Sequence, residues 1–204
     1  MTFPEFFSRV PTITLRDPLA DLLGSATLGR LEYRFEDAVR LTGHACPTVA
    51  GAWLTGCSAL QALYPETLPV RGQIEVAFGD SETRGVTGVI ASVLGLLTGA
   101  AGRGGFSGLG GHFNRRELLQ FGVAGVSQVH FHRRDTGLTA DCRLSLAAAP
   151  ADPLTGQLLA RLLSGDNSPD LAGEFHRLWL ARVERILLDA ALRPQLLDIR
   201  LSPT

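Results

Sequence analysis

The chain has 204 residues, with 19 basic and 20 acidic side chains and a formal net charge of −1 at pH 7. This balance gives no polyanion-binding surface, so we expect no nucleic-acid partner. All 19 basic residues are Arg, which excludes a Schiff-base lysine and a phosphate-loop lysine. Three irregularly spaced cysteines, at positions 46, 57 and 142, do not form a disulfide framework and predict a reducing compartment.

Neither the N-terminus nor the apolar runs suggest export or membrane insertion. The N-terminal residues lack a basic region followed by a long apolar one, so they are not typical of a secretory signal. The longest uncharged apolar run, 85–99, is broken by glycines and is shorter than the ~20 residues that a spanning helix needs. We therefore expect a soluble cytoplasmic protein with no membrane partner.

The first elements are short. Asp17 can cap a helix that begins at Pro18 and ends near Gly24. Residues 31–35 alternate as a strand does, and 36–42 is predicted to be a helix that Gly43 ends.

The next stretch, Gly43-His44-Ala45-Cys46-Pro47, places an imidazole and a thiol two residues apart at a helix start. Pro47 suits the first helical position, and an apolar stripe then continues to Tyr64. The positive end of a helix favours a thiolate, which is the form that binds metals and attacks electrophiles. His44 can bind the same ion or form an ion pair with the thiolate. The alternative is a buried apolar Cys46 beside a His44 that only satisfies backbone groups.

A half-buried strand is predicted over 70–78, because apolar and polar residues alternate there. Asp80 and Glu82 follow in a polar loop, where they are either solvated or turned toward a metal. Residues 85–97 are predicted to form a buried helix that Thr98-Gly99 ends.

Seven of the thirteen residues from Gly99 to Gly111 are glycine. The functional interpretation is a backbone cradle for an anionic or planar ligand, and the alternative is a tightly packed or mobile loop. The spacing matches neither glycine-rich nucleotide motif. Candidate contacts are Gly104, Gly105, Gly110 and Gly111. His112, directly after them, is a candidate third ligand for a metal at His44 and Cys46.

Residues 126–133 and 138–146 are predicted to form a hairpin through 134–137. Its second strand places Cys142 on an apolar face, where we expect it in the core. Its first strand places His130 and His132 on one face, opposite Val129 and Phe131. Such a pair either chelates a metal or belongs to an exposed polar face.

Composition changes at Pro150, which divides the chain into a core over 1–149 and a helical extension over 150–204. Capping signals predict one helix over 152–165 and a second that begins at 168 and runs toward 192. This helical hairpin would pack on the core or at a dimer interface.

The Gly43–Pro47 stretch resembles the Gly-His-x-Cys-Pro signature that opens the core domain of the FmdE family, which is named for the FmdE component of formylmethanofuran dehydrogenase. Gly51 matches a further glycine of that signature, and the resemblance extends from about Tyr33 to about Leu146. It implies an α+β core, a metal, often zinc, at the His and Cys, and a homodimer. The chain has Thr48 where the family commonly has Gly, has no Cys-x-x-Cys for the family's zinc finger, and shows no second motif near 84–88.

Together these observations predict an α+β protein with a small mixed or antiparallel sheet packed by helices. The leading functional hypothesis is a metal-binding protein whose His44 and Cys46 hold zinc or another divalent transition metal. A second hypothesis is a haem protein with Cys46-Pro47 as the axial thiolate motif and Trp53, Phe106 and the glycine-rich loop around the macrocycle. A third is a metal-free thiol enzyme with Cys46 as nucleophile and His44 as its partner.

Overall fold

The computed structural model describes residues 3–166 and 168–203. Helices in these ranges are α1 Pro18–Leu22, α2 Phe35–Thr42, α3 Pro47–Leu63, α4 Thr87–Thr98, α5 Pro153–Leu163, α6 Pro169–Leu188 and α7 Arg193–Leu196. Strands are β1 Ile13–Arg16, β2 Arg30–Tyr33, β3 Ile74–Phe78, β4 Leu119–Gln120, β5 Val129–Arg133, β6 Thr139–Leu144 and β7 Leu197–Ser202. No helix in the described part of the chain is both long and apolar enough to cross a bilayer.

Two sheets organise the fold. Strands β1 and β2 form an antiparallel pair, and the larger sheet has the strand order β4-β3-β5-β6-β7. Its β3–β4 pairing is parallel and its other pairings are antiparallel. The predicted α+β class, with a small mixed sheet packed by helices, is confirmed.

Helix α3 is the centre of the core, and it contacts α4, α6 and strand β6. Twelve of its seventeen residues are buried, which explains its nearly continuous apolar sequence. Gly51 lets the helix approach the sheet closely, because a Cβ at this position would collide with the Leu144 side chain of β6. The sheet presents Ile74, Val76 and Phe131 to this core, each at most 1% exposed.

Local sequence signals located most element boundaries. Gly43 ends α2 with a left-handed φ of 79°, and Pro47 is the first residue of α3. The strand predicted from residue 70 begins instead at Ile74, so that start was wrong. Residues 70–73 form a turn in which the Gln73 amide donates to the Val70 carbonyl and Gly72 has a φ of 80°.

The region 150–204 contains the two predicted helices and also a strand that the prediction missed. After α7 the chain enters β7, which pairs antiparallel with β6 from Leu144↔Leu197 to Thr139↔Ser202. Leu197, Ile199 and Leu201 alternate with polar residues there, so a weak strand signal was present. The C-terminal region therefore supplies an edge strand to the sheet of the core.

Candidate functional site

His44 lies on the short link between α2 and α3, and its ring is oriented by the backbone. Its Nδ1 is 2.9 Å from the Thr42 carbonyl oxygen. A carbonyl can only accept a hydrogen bond, so Nδ1 carries the hydrogen and the neutral ring has its lone pair on Nε2. The residue is exposed, and no described residue forms a hydrogen bond with this Nε2. The ring is thus prepared to offer one nitrogen as a ligand.

Cys46 is the N-cap residue of α3. Its Sγ accepts a hydrogen bond from the Val49 amide at 3.4 Å, and Pro47 follows as the first helical residue. A backbone N–H and the positive helix end both favour negative charge on this sulfur. Cys46 is free and only 9% exposed, so its thiol lies at the edge of the core beside the exposed His44.

Trp179 fixes the link between the two residues from the C-terminal region. Its indole Nε1 donates a hydrogen bond of 2.9 Å to the Ala45 carbonyl, across 134 residues of sequence. The sequence predicted Trp179 only as part of a buried helical stripe. Since a half-buried indole N–H needs an acceptor, a polar contact was foreseeable, but not its partner.

The other two thiols differ from Cys46. Burial raises the pKa of the Cys57 thiol above its ordinary value. Burial, with smaller contributions from Asp141 and Asp198, raises the pKa of Cys142 to about 12. Cys142 is fully buried, which confirms the prediction that it belongs to the core.

His112 lies in a tight turn in which Leu109 and His112 exchange two backbone hydrogen bonds of 2.9 Å. Its ring neighbours Phe113, with 6.1 Å between ring centroids. Within residues 3–166 and 168–203, no three or more His, Cys, Asp or Glu side chains are grouped so as to hold a metal. A metal-binding role for His112 stays a prediction, as do those of His44 and Cys46.

The glycine-rich segment borders the largest cleft, which has a volume of ≈ 870 Å³. Gly104 and Gly105 line it together with Arg103, Glu82 and Glu117. The candidate contacts Gly110 and Gly111 lie instead in the turn that His112 closes. Trp53, which the haem hypothesis placed around the macrocycle, is 2% exposed and packs edge-on against Phe35 in the core.

A buried ion cluster anchors this segment at both ends. Asp17 accepts hydrogen bonds from Arg115 at 2.7 Å and from Arg71 at 2.9 Å. Gly99 leaves room for the Arg115 guanidinium, because a Cβ there would lie 2.7 Å from Nη1. Burial lowers the pKa of Arg115, and the Asp17 carboxylate opposes that shift. The sequence predicted Asp17 only as a helix cap, which it also is.

His130 and His132 share a face of β5, as predicted. Nδ1 of His130 is 2.8 Å from an Asp141 oxygen, and Nδ1 of His132 is 3.1 Å from a Glu75 oxygen. The four side chains lie on the face of the sheet opposite the buried residues of these strands.

Comparison with known proteins gives one remote similarity. The sequence matches no protein-family model, and a search of curated proteins found no match. Among solved structures, the chain is similar to an FmdE-like protein, of the tungsten formylmethanofuran dehydrogenase type, from Syntrophus aciditrophicus. The identity is 16%, the TM-score is 0.42, and the match covers 84% of this chain and 73% of that one. Values this low carry no conclusion about family or function.

Proposed function

We propose that this chain is a small metal-binding protein in which His44 and Cys46 hold a transition metal, with zinc as the best match. The observation that carries the proposal is the hydrogen bond from His44 Nδ1 to the Thr42 carbonyl. Histidines that bind metals in proteins usually donate their other ring N–H to a carbonyl or carboxylate, which fixes the tautomer and orients the ring. His44 has this arrangement two residues before a free thiol.

The donor set fits the proposed ion. A thiolate and an imidazole suit zinc and other borderline or soft ions, whereas magnesium and calcium prefer oxygen ligands. The resemblance of Gly43–Pro47 to the FmdE signature supports the same assignment. When bound with an open position, such an ion supplies Lewis-acid chemistry or a hydroxide at neutral pH.

The chain's own residues have three tasks in this proposal. Thr42 holds the His44 tautomer through its carbonyl. The Val49 amide supports negative charge on the Cys46 sulfur. Trp179 holds Ala45, and with it the link between the two ligands.

A small-molecule ligand belongs, on this proposal, in the glycine-lined cleft. That cleft offers both an Arg103 guanidinium and the Glu82 and Glu117 carboxylates beside open backbone at Gly104 and Gly105. Its volume of ≈ 870 Å³ lies within the range of small-molecule sites. A homodimer and a cytoplasmic location stay predictions.

Elemental analysis of the purified protein tests the proposal. We expect about one zinc or related ion per chain, lost in both Cys46→Ala and His44→Ala. Matched controls are Cys57→Ala and His176→Ala, which replace a thiol and an exposed imidazole on helices α3 and α6. Both controls should keep the ion. Metal retained by Cys46→Ala would contradict the proposal.

A visible spectrum of the same sample separates the alternatives. A Soret band that disappears in Cys46→Ala would replace the proposal with haem ligation. Protein that stays metal-free after zinc is added back, with Cys46 alkylated much faster than Cys57 and Cys142, would replace it with thiol chemistry.

A further inference from the structure

A second group of histidines lies on the open face of the five-stranded sheet, on strand β5 between β3 and β6. The strand register places Glu75, His132 and Thr139 in one row across the three strands. The next row on the same face contains Ala77, His130 and Asp141. Each imidazole therefore has one carboxylate and one small side chain as its cross-strand neighbours.

Both rings are held in the same way. An ionised carboxylate can only accept, so His130 Nδ1 donates to Asp141 at 2.8 Å and His132 Nδ1 donates to Glu75 at 3.1 Å. In each neutral ring the lone pair is then on Nε2. Across the described ranges, neither Nε2 has a hydrogen-bond partner.

The two rings also share a cavity. Its volume is ≈ 270 Å³, and Ala77, Thr139 and Gln120 complete its lining with Glu75 and Val76. The small residues Ala77 and Thr139 leave space beside the imidazoles. The histidine side chains are 28% and 32% exposed, so they lie within this depression instead of extending into solvent.

We propose that His130 and His132 form a divalent transition-metal site, with both Nε2 atoms as ligands. Residues i and i+2 of a strand project from the same face, about 7 Å apart along the strand, which is a spacing that two imidazoles can bridge to one ion. Glu75 and Asp141 orient the rings and increase their basicity, as outer carboxylates do in histidine metal sites.

Charge selects a cation over an anion at this site. Two carboxylates adjoin the two neutral imidazoles, and the nearby Arg134 already pairs with Glu75 at 3.3 Å. The donors are nitrogen and oxygen with no sulfur, because Cys142 projects to the buried face of β6. Such a set suits zinc, nickel, cobalt or copper, with water or a bound ligand in the remaining positions.

The test uses the double variant His44→Ala/Cys46→Ala, which removes the metal proposed at the helix junction. We expect this protein to bind about one equivalent of Zn²⁺ or Co²⁺ by calorimetric titration. Adding His130→Gln/His132→Gln should abolish that binding, whereas the matched pair His112→Gln/His176→Gln should leave it unchanged. Asp141→Asn and Glu75→Gln should each weaken it about 10- to 100-fold.

A measurement without further substitutions keeps the test independent of folding. In the double variant, imidazole ¹⁵N spectra should show Zn²⁺ shifting the Nε2 signals of His130 and His132 together, with His112 and His176 unaffected. Absence of Zn²⁺ binding by the double variant, or binding that survives His130→Gln/His132→Gln, would overturn this site. Neither result bears on the metal proposed at His44 and Cys46.

Discussion

The helix junction and the open sheet face present histidines in the same chemical state by different means. At the junction, a backbone carbonyl holds Nδ1 of His44. On the sheet, carboxylates hold Nδ1 of His130 and His132. A carbonyl contributes no charge, and the junction compensates with a thiol that can ionise. The sheet brings its negative charge in the carboxylates themselves.

The two regions also differ in what fixes their shape. The junction depends on Trp179, which reaches Ala45 from helix α6. The sheet pair depends on strand register, which sets several cross-strand neighbours at once. We therefore expect the junction to respond to single distant substitutions, and the sheet pair to respond only to changes in its own row partners.

The largest expected effect is a reciprocal loss of metal. Cys46→Ala should remove the whole equivalent at the junction and leave the sheet equivalent intact. His132→Gln should do the opposite, because the two sites share no ligand. Metal analysis after dialysis against Zn²⁺ checks both, and loss of both ions from either single variant would show that the regions are not independent.

A second substitution should change stability and neither site. Asp17→Ala leaves the buried guanidinium groups of Arg71 and Arg115 without their carboxylate. Removing one partner of a buried pair costs about 3–5 kcal/mol. Urea unfolding measures this, with the exposed Asp21→Asn as control. An unchanged unfolding midpoint would contradict the anchoring role of the cluster.

The thiol beneath the sheet gives a pH-dependent prediction. The folded pKa of Cys142 is about 12, against an ordinary value of 9.0. A raised thiol pKa stabilises the fold fully below pH 9, and this contribution disappears as pH rises from 9 toward 12. Between pH 7 and pH 10, wild type should lose about 1.4 kcal/mol more unfolding free energy than Cys142→Ala. Parallel pH profiles would contradict the prediction.

The smallest expected effect tests the long-range support of the junction. Trp179→Phe removes the hydrogen bond to Ala45 and should cost about 1 kcal/mol of unfolding free energy. It should also weaken metal binding at the junction and leave the sheet site unchanged. Phe175→Leu is a suitable control, because Phe175 packs beside Trp179 and forms no hydrogen bond with the link among the described residues.

The sequence predicted those features that depend on neighbouring residues. Gly43 and Pro47 defined the junction, because each acts on its own backbone. The hairpin loop at 134–137 even implies that His130 faces Asp141, since pairing Arg133 with Leu138 fixes the register. This partner could have been found from the sequence.

Features that join distant segments could not be predicted. Arg115 meets Asp17 across 98 residues, and Glu75 meets His132 across 57. No local periodicity encodes such pairings, because they follow from how whole elements pack. The same reason explains why β7 was missed, since its pairing with β6 forms only after α5, α6 and α7 have returned the chain to the sheet.

The most direct test of the junction is the absorption spectrum of the Co²⁺-loaded protein. Binding through Cys46 predicts a sulfur-to-metal charge-transfer band in the near ultraviolet, lost in Cys46→Ala and in His44→Ala and retained in Cys57→Ala. Co²⁺ on His130 and His132 adds only weak visible bands, because those ligands contain no sulfur. A spectrum with no charge-transfer band, or a band that persists in Cys46→Ala, would contradict the metal site at the helix junction.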